Sequence, residues 1–117
     1  MNGKPTAEQK RWHEWLLNFG CCVHPHRTPV SLHHIKGSKM KLKGCPNAGE
    51  WYVLSLSYWW HQDGRNVAAR HINKSLFEKT TQRTEKIFFE IMVSYYEKEN
   101  GCKPMSEIEY QIIMDRA

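Results

Sequence analysis

The stretch from Lys36 to Gly49 constrains this fold more than any other. It holds Gly37, Gly44, Pro46, Asn47 and Gly49 among four lysines, Lys36, Lys39, Lys41 and Lys43. Glycine and proline at that density interrupt regular structure, so the stretch reads as a loop. It separates two apolar segments, Val30 to Ile35 and Trp51 to Leu56. The first reads as the second strand of a hairpin, begun at Cys21 to His24 and turned at Pro25 to Pro29, where two prolines sit. The second reads as a short extended segment feeding a helix, which Ser57 opens as cap and which runs to Gln62. Asp63 to Asn66 is a turn marked by Asp-Gly.

Helices account for the remainder. Thr6 to Asn18 shows a capping-box pair, Thr6 and Gln9, with Trp12, Trp15 and Leu16 at helical spacing and Gly20 as stop. His71 to Phe77 reads as helical. Gln82 to Lys98 is the clearest helix: Ile87, Phe88, Ile91, Met92 and Tyr95 recur at three and four residues and predict its buried face. Asn100-Gly101 stops it. Ser106 to Met114 closes the chain, with Ser106 as cap and Glu109 three positions later. The expected fold class is α+β with more helix than strand, a single domain over residues 1–117 with neither internal repeat nor low-complexity linker.

Charge narrows the partners. The formal net charge is +5 with neutral histidines. Basic residues gather at Lys36 to Lys43, at Arg65 and Arg70, and from Lys74 to Lys86. Such a surface attracts phosphate backbones and releases their counterions. No apolar run approaches the ~20 residues that span a bilayer, and Met1 to Lys10 lacks the apolar core of a secretory signal. A cytoplasmic, non-membrane protein is expected. The four cysteines, Cys21, Cys22, Cys45 and Cys102, are therefore read as reduced.

The chain also carries seven histidines. Histidine is the commonest transition-metal ligand and the usual base near neutral pH. His33 and His34 are neighbours at the end of an expected strand, where successive side chains point to opposite faces. One can hold a metal while the other reaches a water. The remaining histidines read more plainly: His13 as a helix-surface residue, His24 and His26 as part of a turn.

His33-His34-Ile35, then Leu54-Ser55-Leu56 followed by His61, resemble the HNH (ββα-metal) endonucleases. Their pattern is a hairpin ending in Asp-His-Ile or His-His-Ile, a loop, a short apolar segment, and a helix bearing metal ligands. The block from His71 to Glu78 resembles one branch of that superfamily, the phage-encoded Ref-type nucleases that cut DNA in dependence on a RecA filament. The resemblance covers roughly residues 21–78, with helices over 82–117 outside it. It implies a ββα-metal, treble-clef-like core flanked by helices. His33, His61 and His71 are then ligands of one divalent cation (magnesium, manganese or zinc), with no organic cofactor. His34 is then the general base of phosphodiester hydrolysis, and Lys36, Lys39, Lys41 and Lys43 are phosphate contacts on DNA.

The departures matter as much. Many HNH domains hold a structural zinc between two Cys-x-x-Cys pairs. Here Cys21-Cys22 lacks that spacing, and Ser57-Tyr58-Trp59-Trp60 stands where the second pair would be. A tetrahedral site of that type cannot form; packing of Trp59 or Trp60 is the expected substitute. Cys22, His24, His26 and Cys45 form a second candidate metal set, with nothing in the sequence to fix its geometry. The middle asparagine of the motif is missing from its usual place, which Glu50 or Trp51 occupies. A different class of function stays open at this point: a non-catalytic, zinc-stabilised nucleic-acid-binding or adaptor module.

Overall fold

Thr6 starts the first helix as the sequence predicts. Its hydroxyl accepts from the Gln9 amide while the Gln9 side chain accepts from the Thr6 N–H, satisfying two donors that a helix start leaves open. The computed structural model describes residues 4–117. Eight elements follow in order: α1 (Ala7–Phe19), β1 (Val30–His34), α2 (Ala48–Trp51), β2 (Val53–Ser57), α3 (Tyr58–His61), α4 (Lys74–Thr81), α5 (Glu85–Asn100) and α6 (Glu107–Arg116). The architecture is α+β, with a two-stranded antiparallel sheet and six helices among the described residues. No helix among the described residues is long and apolar enough to cross a membrane.

Strand pairing differs from the sequence expectation. β1 pairs with β2 across the long loop, in a register that sets Leu32 opposite Ser55 and His34 opposite Val53. Cys21 to His24 forms no strand. The chain there closes on itself, Cys21 N–H donating to the Arg27 carbonyl at 2.9 Å and Gly20 bridging to Pro25. It meets the sheet through one backbone bond, Cys22 N–H to the Ser55 carbonyl at 2.9 Å. The Ser55 hydroxyl also donates to the Gly20 carbonyl at 2.6 Å. β2 thus lies between β1 and the 21–22 segment, and all five of its residues are buried.

The core is one cluster around β2 and α5. Trp12 and Leu16 of α1, Phe77 of α4, Phe88, Phe89, Met92 and Val93 of α5 and Ile113 of α6 join Val53, Leu54 and Leu56 in it. Trp12 Nε1–H donates to the Trp51 carbonyl at 3.0 Å, so even its polar atom is satisfied inside. Two readings of these helices need correction. The buried face of α5 is Glu85, Phe88, Phe89, Met92, Val93 and Tyr96, while Ile87 and Tyr95 are exposed. This helix is apolar over most of its circumference, so spacing alone left the face ambiguous by one position. His13 is buried rather than on the surface, its Nε2 2.7 Å from the Glu50 carbonyl oxygen.

The Lys36–Gly49 loop is tightly folded and carries the short helix α2 at its end. Gly49 N–H donates to the Met40 carbonyl at 3.0 Å. A Cβ on Gly49 would lie 2.5 Å from the Gly37 carbonyl oxygen. Only glycine permits this approach, and it fixes where the next residue, Glu50, points.

Candidate metal centre

Three elements bring three histidines together. His33 lies on β1 and is buried, His61 ends α3, and His71 lies in the turn before α4. His71 is thus not on a helix, as the sequence suggested; Asn73 caps α4 only afterwards, its side chain accepting from the Leu76 amide. Two consecutive backbone bonds fasten that turn to the end of α3. Arg70 N–H donates to the Trp60 carbonyl at 2.8 Å, and His71 N–H to the His61 carbonyl at 2.9 Å. The three rings are 4.6 to 5.2 Å apart between centroids. One nitrogen from each lies within 4.8 Å of the others, so small ring movements let the three share one ion.

The surroundings orient the rings, and two of the three are held toward the neutral form that binds metal. His33 Nε2 is 2.7 Å from Glu85 Oε2. A carboxylate accepts, so Nε2–H donates and Nδ1 is the nitrogen left to face a metal. His61 Nδ1 is hydrogen-bonded to Ser31 Oγ at 2.9 Å, which leaves Nε2 free. Ser31 and His33 are two residues apart on β1 and so share a face. A ligating histidine normally has such a partner on its second nitrogen, and the partner fixes ring and tautomer. Burial, then the charges of His33, His71 and Arg70, push the His61 imidazole down to about 4. Burial and the charges of His33 and Arg70 also lower His71. Burial opposes the charge on Glu85, but hydrogen bonds from His33 and Arg70 hold its carboxyl below the usual range.

Glu85 itself sits at the start of α5, 3 % exposed. Its Oε2 also accepts from Arg70 Nε at 2.9 Å, and its Oε1 has no hydrogen-bond partner among the described residues. Neither Glu85 nor Arg70 stands out in the sequence as a site residue. The available hint was Arg70 adjoining His71.

His34 leaves β1 on the side away from His33. Its Nε2 is 2.7 Å from Glu50 Oε1, and its ring stands 6.1 Å from that of His13. Glu50 is buried and its backbone carbonyl is held by His13. A carboxylate accepts, so His34 Nε2–H donates and Nδ1 is the ring nitrogen left without a partner among the described residues. Glu50, one of the two residues expected where the motif has asparagine, thus braces His34. Comparison of this chain with protein-family models, curated proteins and solved structures found no match.

The other expected groups are placed as follows. Lys36, Lys39, Lys41 and Lys43 are all exposed along the loop that follows His34. Among the described residues, the histidine triad is the one set of three close donors. Cys22, His24, His26 and Cys45 are not brought together: Cys45 faces Glu109, and His24 stands against Trp60. All four cysteines are free. Trp60 also packs edge-on to Phe77, whereas Trp59 is exposed.

The low His61 value has a consequence for stability. An unfolded histidine takes a proton near 6.5, the folded His61 only near 4. Between those values the unfolded chain binds the proton and the folded chain does not, so acid favours unfolding. Metal-free protein is expected to lose stability as the pH falls from about 6.5 to about 4, and to gain nothing from this group above that window. Urea titrations in chelator across that range measure it. A His61→Asn variant with the same acid slope would assign the sensitivity to other groups.

Proposed function

We propose that this chain is a metal-dependent DNA endonuclease on the ββα-metal plan, with its core over residues 21–78. One observation carries the reading: neighbouring histidines on one strand part company, His33 joining the triad and His34 remaining outside it, braced by Glu50. A purely structural zinc site is closed by four protein ligands. Here three converge among the described residues, and the exposed His71 leaves the site open to solvent. That favours catalysis over the adaptor alternative. The HNH resemblance and the basic loop point to DNA as substrate, in the cytoplasm. The Ref-type resemblance of His71 to Glu78 extends the proposal to a phage- or prophage-encoded enzyme working with a RecA filament.

His33, His61 and His71 would hold the cation. When bound, a divalent metal neutralises charge on the phosphate and eases departure of the sugar oxygen. The protein residues do the rest. Glu50 holds the tautomer of His34 in which Nδ1 accepts a proton from water. The water oxygen bonds to phosphorus as the bond from phosphorus to the sugar oxygen breaks, and solvent protonates the departing oxygen. Lys36, Lys39, Lys41 and Lys43 hold the backbone on either side through non-specific phosphate contacts.

Supercoiled plasmid tests the reading. Wild-type protein is expected to nick it with magnesium or manganese and not in chelator. No cleavage of duplex or single-stranded DNA under any of these metals, by protein shown to bind the metal, would overturn it.

A further inference from the structure

We propose that Arg70 is a catalytic residue, its guanidinium meeting the non-bridging oxygens of the scissile phosphate. The inference rests on the endonuclease reading and goes beyond it. Arg70 and His33 donate to the same oxygen, Glu85 Oε2, at 2.9 and 2.7 Å. The guanidinium is therefore beside the histidine triad, and Arg70 immediately precedes His71.

A cation in that place repels a metal ion. The simple explanation is that Arg70 serves Glu85 as a structural partner. The geometry argues otherwise. A guanidinium matches a carboxylate best as a fork, two parallel N–H groups on two oxygens. Arg70 gives Glu85 its Nε alone, and the second oxygen, buried Oε1, goes without a hydrogen bond. The terminal nitrogens of Arg70 have no hydrogen-bond partner among the described residues. The side chain is 19 % exposed, which leaves them within reach of a ligand. Held at one end by Glu85, the group presents its remaining donors beside a site open through His71.

Charge balance gives the ligand. A divalent cation, Arg70 and the Lys74 ammonium, 3.9 Å from Glu85 Oε1, together outweigh Glu85 by three charges. A phosphodiester carries one negative charge, and hydrolysis raises it toward two in the transition state. The site is thus closest to neutral when the phosphate is reacting, which is when preorganised donors accelerate a reaction most.

Two variants and two readouts test the assignment. Arg70→Ala is expected to bind cobalt(II), followed by its visible absorption without DNA, as tightly as wild type or more so, because a repelling charge is gone. Its plasmid cleavage should fall about 10²- to 10³-fold in kcat, with KM nearly unchanged, and millimolar guanidinium should restore part of the rate. Arg70→Lys keeps the charge without the fork; it should bind cobalt(II) like wild type and remain slow. Cleavage by Arg70→Ala at the wild-type rate overturns the proposal. So does weakened cobalt(II) binding that accounts for the lost activity in both variants, since Arg70 would then only brace Glu85 and His33. Wild-type protein that binds cobalt(II) but cleaves no DNA would instead sink the nuclease reading, and this inference with it.

Discussion

His34→Ala is expected to cleave DNA about 10²- to 10⁴-fold more slowly than wild type, the usual cost of removing a general base, while keeping its metal. The argument starts from strand parity. His33 and His34 are neighbours on β1, so one side chain enters the triad and the other turns to Glu50. His34 supplies no nitrogen to the triad. Its side chain is 29 % exposed, accessible to water, whereas that of His33 is 3 % exposed. Metal titration should therefore be unchanged in the variant, and excess metal should not rescue it. A ligand variant such as His61→Ala should lose activity through metal affinity and respond to added metal. Loss of metal binding by His34→Ala would mean that the two neighbours have exchanged roles, leaving His33 as the candidate base.

Which parts of this molecule could be read from the sequence follows from the range of the forces involved. The caps of α1 and α6 are local: Thr6 with Gln9 and Ser106 with Glu109 form their boxes within one turn. The triad was legible because β1, α3 and the turn before α4 carry its residues in a recognisable order. The partner of β1 was not, because strand pairing is decided by the whole sheet. β2 had to reach across the loop, and Gly49 had to allow that loop to close on Gly37. The burial of His13 depends on a backbone carbonyl at Glu50, far along the chain, and no periodicity in α1 announces it. Glu50, Arg70 and Glu85 were missed for the same reason. Each is an ordinary charged residue in its own segment and acquires its role only from a partner on another element. Two left a trace: Arg70 adjoins His71, and Glu50 is one of the two residues at the place where the resemblance called for asparagine.

Glu85→Ala is expected to lower stability and metal affinity together. Glu85 is buried and accepts from His33 and Arg70 on one oxygen, with the Lys74 ammonium 3.9 Å from the other. Its own N–H donates to Glu78 at 3.0 Å, tying the start of α5 to α4. Removing the carboxylate leaves the largely covered guanidinium of Arg70 without its counter-charge. Breaking one side of a buried ion pair commonly costs about 3–5 kcal/mol; with Arg70 partly exposed the lower end applies. For a domain of this size that is a fall in Tm on the order of 10 °C. The ring of His33 also loses the acceptor that orients it, which should weaken metal binding by about 10- to 100-fold. Glu85→Gln keeps the shape and one acceptor oxygen. It should recover most of the metal affinity but less of the stability, since the amide does not compensate Arg70. Urea unfolding in chelator and cobalt(II) titration separate the two effects. Metal binding by Glu85→Ala equal to that of wild type would show that His33 needs no carboxylate behind it, and that Glu85 serves the fold alone.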